Sequence, residues 1–143
     1  LEALKQLSAA CIPATVMVAP VIPALNDSEI ERILDAAAHA GVKEASYVLL
    51  RLPLEVRDLF REWLMANYPD RYRHVFTLIR DMRGGKDYDA DFASRMKGQG
   101  IWADLIRQRF VKTCDRLGFN RERQPLDSSL FRPAALRGQG DLF

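Results

Sequence analysis

The sequence is poor in cysteine and histidine, and this scarcity excludes several kinds of site. Two cysteines, Cys11 and Cys114, stand 103 positions apart in 143 residues. Disulfide frameworks are denser in cysteine and metal sites need closer ligands, so we expect two free thiols in a reducing compartment, the cytoplasm. His39 and His74 have no second ligand at helical spacing, and we interpret both as structural or solvated.

A long apolar run and a secretory signal are also lacking. No stretch approaches the roughly 20 apolar residues that a membrane span needs, so we expect no membrane association. The chain opens at Leu1 in a helical pattern, without a basic segment or an initiating methionine. We therefore expect a piece of a longer protein.

The charge is distributed unevenly along the chain. Residues 1–69 carry a net charge of −3, whereas residues 70–143 carry +5. A basic half favours an anionic partner. We divide the chain into a core over residues 1–69, a basic helical extension over 70–124 and a flexible tail over 125–143.

Two short apolar runs, residues 15–18 and 45–50, are separated by a helical pattern. The first is β-branched and uncharged, which is typical of a strand covered on both faces in a parallel sheet. Pro20 and Pro23 predict that the chain turns there. Asn26 is predicted to cap the helix together with Glu29. Strand, helix and strand within about 40 residues predict a parallel βαβ unit.

Ligands of βαβ units bind beyond the carboxyl ends of the strands, here residues 19–26 and 51–53. Helical spacing of apolar residues also predicts helices over residues 1–10, 56–68, 71–82, 89–96 and 102–117.

The run MVAPVIPALND, with YVLLRLP after the helix, resembles the C-terminal half of a radical S-adenosylmethionine (SAM) enzyme. More narrowly, it is similar to the bacterial branch related to spore photoproduct lyase. The resemblance extends through RGGKDYD and the last helix, so it covers most of the chain. It implies an α/β fold: the C-terminal part of a partial (β/α)6 TIM-like barrel, followed by an all-helical extension and a flexible tail.

The resemblance also implies a function for the parent protein. It would cleave SAM at a 4Fe–4S cluster to make a 5′-deoxyadenosyl radical. The late strands would help to hold SAM. The positions implied are Val18, Pro20, Ile22, Asn26, Leu50, Arg51 and Leu52.

Two departures from the family pattern matter. The CxxxCxxC cluster motif is absent, so we expect this chain alone to bind no cofactor and to be inactive. Ala24 stands where the family usually has glycine, which matters only if that residue needs a positive φ or a close ligand.

Arg51 interrupts an apolar run at the end of the second strand. It either pairs with a local carboxylate or contacts SAM or an anionic substrate. The segment Arg83-Gly84-Gly85-Lys86 is either a plain connection or a phosphate-contacting loop for DNA. Its predicted nucleic-acid contacts are Arg83, Lys86, Arg95 and Lys97.

The C-terminus GQGDLF resembles the peptide that binds the bacterial sliding clamp, through Gln139, Leu142 and Phe143. The alternative is an incidental tail. Kinship with spore photoproduct lyase, the basic half and this terminus favour DNA as the substrate. The competing hypothesis is a non-catalytic module that binds DNA or the clamp. We also expect exposed barrel edges to pair with a second copy.

Overall fold

The computed structural model describes residues 1–121 and 128–129 of the chain. The described part is mixed α/β, with five α-helices and a two-stranded parallel sheet. In chain order the elements are α1 (Glu2–Ala9), β1 (Thr15–Val21), α2 (Ile30–His39), β2 (Glu44–Leu49), α3 (Val56–Asn67), α4 (Tyr72–Asp81) and α5 (Gly100–Leu117).

The predicted βαβ unit is confirmed, because β1 and β2 pair in parallel with Val16 opposite Ala45 and Val18 opposite Tyr47. The prediction that the chain turns at Pro20 is wrong. The strand continues to Val21, and Pro20 falls at a break in the register between Val18 and Val21. A proline cannot donate a ladder hydrogen bond, and an irregularity of this kind is where a strand tolerates it.

The sheet is covered on one face, not on both as the first apolar run predicts. Val18, Tyr47 and Leu49 lie in the main apolar core, together with buried side chains of α2 and α5. The opposite side chains, which we call the open face, belong to neither apolar cluster of the described residues, and Met17 is 60% exposed. The open face consists of Thr15, Met17, Glu44, Ser46 and Val48.

The main core draws on both sides of the division predicted at residue 69. Helix α5 supplies Ala103, Ile106 and Phe110 to the core that α2 and the sheet share. A two-stranded sheet is too small to be stable by itself, so α5 provides cover that the first 69 residues lack. The predicted division therefore does not separate two cores.

A second apolar cluster lies beyond the carboxyl ends of the strands. Helix α3 contributes Leu64, and α4 contributes Val75, Phe76 and Ile79. Leu52, which follows β2, completes its buried part. The spacing of apolar residues predicted both helices to within a few residues, because each helix buries one face.

The helix predicted over residues 89–96 is wrong, since turns occupy residues 92–97. Asp89 Oδ1 accepts from the backbone N–H of Asp91, and Asp91 Oδ1 accepts from that of Ala93, at 3.1 and 3.2 Å. Ser94 Oγ also donates to Asp89. Aspartate side chains that bind nearby backbone in this way compete with helical hydrogen bonding.

Chain segments outside the sheet cover the outer edge of β2. Asn120 accepts from the Ala45 N–H through Oδ1 and donates to the Ala45 carbonyl through Nδ2, both at 3.0 Å. Further along, the Leu49 N–H donates to the Met96 carbonyl at 2.9 Å. The edge of β1 that faces away from β2 has no neighbouring strand among the described residues. Pairing of that edge with a second copy stays a prediction.

No helix in the described part of the chain is both long and apolar enough to cross a membrane. The cytoplasmic location stays a prediction.

Replacing Ala24 by glycine is expected to stabilise the fold. Ala24 has a φ of +57°, which costs an L-residue roughly 1–2 kcal/mol, and glycine avoids that cost at some loss of chain entropy. We expect Ala24→Gly to raise the free energy of unfolding by about 0.5–1 kcal/mol in urea denaturation. The control Ala36→Gly, inside α2, should lower it by about 1 kcal/mol. A loss of stability in Ala24→Gly as well would contradict this reading.

Replacing Asn120 by alanine should cost about 2–3 kcal/mol of stability. The variant loses two hydrogen bonds to β2, worth about 1 kcal/mol each, and places alanine at a φ of +59°. The matched control is Asn67→Ala, which removes one exposed bond to the Trp63 carbonyl and should cost less than about 1 kcal/mol. Equal midpoints for the two variants in chemical denaturation would refute the role of Asn120.

Candidate functional site

The loop after β1 is built around the side chain of Asn26. Its Oδ1 accepts from the Ile22 N–H at 2.7 Å, and its Nδ2 donates to the Pro20 carbonyl at 3.0 Å. The predicted capping of α2 by Asn26 and Glu29 is wrong, because no side chain caps that helix and a 3-10 turn, Asp27–Glu29, precedes it. The amide of Asn26 therefore fixes the loop.

Most of the predicted SAM contacts are packed inside the protein. Val18 lies in the main core. Leu52 is buried in the second cluster, and Ile22 and Leu50 pack against it. Pro20 is exposed. Helices α3 and α4 thus cover much of the rim where the sequence predicts a ligand. Of the seven predicted positions, Arg51 has the side chain with the most hydrogen-bond donors not bound to the protein.

Arg51 is partly buried and is bound to neutral groups. Its Nη2 donates to the Tyr88 hydroxyl at 3.3 Å, and its Nη1 lies 3.9 Å from the Met96 thioether. Its Nε is buried without a hydrogen-bond partner. In the described residues no carboxylate forms an ion pair with it, so the alternative of a local ion pair is not what the structure contains.

Arg83 is buried near Arg51 and links the end of β2 to the loop between α4 and α5. It is 3% exposed, and its Nη1 and Nη2 donate to the carbonyls of Ser94 and Leu50, each at 3.0 Å. Burial lowers the pKa of the Arg83 guanidinium; nearby Asp89 opposes this effect and Arg51 adds to it. A guanidinium held in this way is not available to a surface phosphate.

The other predicted nucleic-acid contacts are distributed differently. Arg95 lies over the ring of Phe92, with 3.5 Å from its Cζ to the ring centroid. Lys86 and Lys97 are exposed. The structure therefore leaves these two lysines as the freely exposed members of the predicted set. Gln139, Leu142 and Phe143, the predicted clamp-binding residues, lie outside the described residues.

Two cavities adjoin the two ends of the sheet. One, of about 520 Å³, lies before the strands and is lined by Cys11, Lys43 and Arg121 among others. The second, of about 500 Å³, lies beyond β2, and Leu52, Asp87 and Tyr88 contribute to its wall. The second cavity is at the end of the sheet where the βαβ unit predicts a ligand.

The cysteines do not fit a 4Fe–4S cluster, which needs several thiolates close together. Cys11 is exposed, whereas Cys114 lies on α5 and is buried in the main core. Burial raises the pKa of the Cys114 thiol from an ordinary value of 9.0 to about 11. In the described part of the chain no group of three or more His, Cys, Asp or Glu side chains could hold a metal ion.

Tyr88 and Met96 are the neighbours of Arg51 that the sequence did not reveal. Both lie on the segment between α4 and α5, about 40 residues after Arg51. The signal available was the motif RGGKDYD, which contains Tyr88. Its pairing with Arg51 depends on the path of a non-helical loop, for which the sequence has no periodic pattern.

Comparisons of the chain with protein-family models, curated proteins and solved structures find no match.

The two thiols should differ sharply in reactivity. At pH 8 we expect iodoacetamide to alkylate exposed Cys11 quickly and Cys114 only on unfolding, because burial blocks access and keeps the thiol protonated. Peptide mass spectrometry with and without denaturant measures this. Equal rates in the native protein would contradict the buried position of Cys114.

The stability of the fold should also fall at high pH because of Cys114. Its pKa is higher in the folded state, so its contribution is complete below pH 9 and is lost as the pH rises towards 11. The loss should amount to about 3 kcal/mol at most, because the pKa rises from 9.0 to about 11 and each pKa unit corresponds to roughly 1.4 kcal/mol. Urea midpoints of the wild type and Cys114→Ala, compared between pH 8 and pH 11, isolate this term; parallel curves would contradict it.

Proposed function

We propose that this chain forms the C-terminal part of a radical SAM enzyme of the branch related to spore photoproduct lyase. The observation that carries the proposal is the parallel βαβ unit with helices on one face and an open face on the other. In a (β/α) barrel the helices form the outer layer and the opposite face of each strand points inward. The arrangement of β1, α2 and β2 is what one wall of such a barrel requires.

The edges of the sheet support the same proposal. Asn120 and the Met96 carbonyl occupy the outer edge of β2, as suits the last strand of an incomplete barrel. The edge of β1 has no strand beside it in the described residues and is where earlier strands would pair.

In this proposal the cluster is bound by the longer parent protein, and the present chain helps to enclose SAM. The radical chemistry comes from SAM cleaved at a 4Fe–4S cluster, whose ligands this sequence does not contain. The residues here would contribute one wall of the barrel and the loops at its mouth. DNA as the substrate rests on the resemblance and on the basic half, with Lys86 and Lys97 as exposed cations.

The alternative is a non-catalytic module that binds DNA or the sliding clamp through the C-terminal residues. The two proposals differ in one product. The full-length protein, reconstituted anaerobically and reduced, should release 5′-deoxyadenosine from SAM if the first proposal is right. Retained clamp binding without that product would favour the module.

A substitution on the open face tests the barrel itself. Met17→Lys should change the stability of the 143-residue chain by less than about 0.5 kcal/mol, because the side chain is 60% exposed there. In the full-length protein the same lysine would point into the barrel without a partner and should abolish formation of 5′-deoxyadenosine.

The control for this test is Val111→Lys on the exposed side of α5, which should be tolerated in both proteins. Full activity of Met17→Lys in an active full-length protein would overturn the barrel proposal.

A further inference from the structure

Three arginines of the described residues, Arg51, Arg61 and Arg95, have a buried Nε without a hydrogen-bond partner. Arg61 lies 3.8 Å from the Asp87 carboxylate, and Arg95 lies over the Phe92 ring. Among the described residues Arg51 has neither kind of contact, and of the three it is the one that lies just after β2.

A guanidinium has five N–H donors and no acceptor, and a buried donor without a partner is costly. The contacts of Arg51 are a phenol and a thioether, both neutral and both long, at 3.3 and 3.9 Å. Its Nε has none. The Nε–H of Arg51 is thus buried without an acceptor.

A second guanidinium lies close behind it. Arg83 is fixed by the carbonyls of Leu50 and Ser94, and its lowered pKa includes a contribution from the charge of Arg51. Two like charges in a poorly solvated region repel each other, and an anion between them or beside them relieves that repulsion.

The carboxylates of the region are engaged elsewhere. Asp87 pairs with Arg80 at 2.6 Å and lies 3.8 Å from Arg61. Asp89 accepts from Ser94 and from the Asp91 N–H. Asp89 acts on Arg83, and neither aspartate forms an ion pair with Arg51. The nearby carboxylates therefore do not neutralise Arg51, and an anion from outside the chain could bind it.

We propose that Arg51, with Tyr88 beside it and Arg83 behind it, binds the oxyanion of a ligand, a carboxylate or a phosphate group. The cavity of about 500 Å³ beyond β2 adjoins this site through Tyr88, although Arg51 is not part of its wall. Asp58 and Asp87 also line the cavity, and they are paired with Arg57 and Arg80. Guanidinium groups match both oxyanions, which accept several N–H bonds at once. The thioether of Met96 is the weakest contact and is the one that the anion replaces.

This inference deepens the proposed function, and it rests on that function only for the identity of the natural ligand. The anion site itself is tested on the 143-residue chain with inorganic phosphate and with acetate, at ionic strength held constant with sodium chloride. The readout is the Nε–H resonance of Arg51 in ¹⁵N correlation spectra, assigned by its loss in Arg51→Lys.

We expect a saturable shift of the Arg51 resonance with at least one of the two probes. The internal control is Arg107, an exposed arginine paired with Asp104 at 2.9 Å, which should not saturate. In Arg51→Gln the affinity for the same probe, obtained from thermal stabilisation as a function of probe concentration, should fall at least about tenfold, because a charged hydrogen bond is lost. Tyr88→Phe keeps the charge and should weaken it less.

The outcomes separate the sources. Saturation by acetate alone identifies a carboxylate ligand, saturation by phosphate alone a phosphate ligand, and both support a general oxyanion site. If the Arg51 resonance moves no more than that of Arg107 with either probe, the anion site is refuted. That failure would leave release of 5′-deoxyadenosine by the full-length protein unaffected, so the two proposals fall separately.

Discussion

The packing of α5 on the same face as α2 is the constraint on which the rest of the fold depends. Arg109 joins the two helices: its Nε and Nη2 bind both carboxylate oxygens of Glu31 at 2.7 Å, and Nη2 also donates to the Asp27 carbonyl. The hydrogen bonds from Arg109 lower the pKa of Glu31. Beneath this contact, Leu34 and Ile106 are fully buried. Without α5, the parallel strands would have one helix as cover.

The position of α5 also determines where the chain between α4 and α5 runs. That chain returns along the outer edge of β2, where the Met96 carbonyl binds the Leu49 N–H. It thereby brings Tyr88 and Met96 into contact with Arg51, and its Ser94 carbonyl accepts a hydrogen bond from buried Arg83. Because these segments occupy the edge of β2, the open face and the edge of β1 are the parts of the sheet left without cover in the described residues.

The spacing of apolar residues predicted most helices and both strands, whereas it could not predict contacts between residues far apart in the sequence. The parallel unit and helices α3, α4 and α5 follow from apolar spacing, which reflects burial of one face. Asn26 and residues 89–96 were misread because their polar side chains bind backbone in turns rather than caps or helices. Ala24 does have a positive φ, which is one of the two conditions under which an alanine in place of glycine matters there. The burial of Arg83 had no local signal, since its acceptors are Leu50 and Ser94.

Five arginines of the described residues are partly or fully buried, and they differ in their partners. Arg61 lies 3.8 Å from Asp87 and Arg95 lies over the Phe92 ring, and the Nε of each has no partner. Arg109 has a carboxylate and a carbonyl. Arg83 has two carbonyls. Arg51 has neither, and its Nε is buried without a partner at the end of the sheet where parallel units hold ligands. Asp87 and Asp89 are within the same loop region and are bound to other groups. The unpartnered Nε of Arg51 and its place after β2 are therefore the two observations on which the proposed oxyanion site rests.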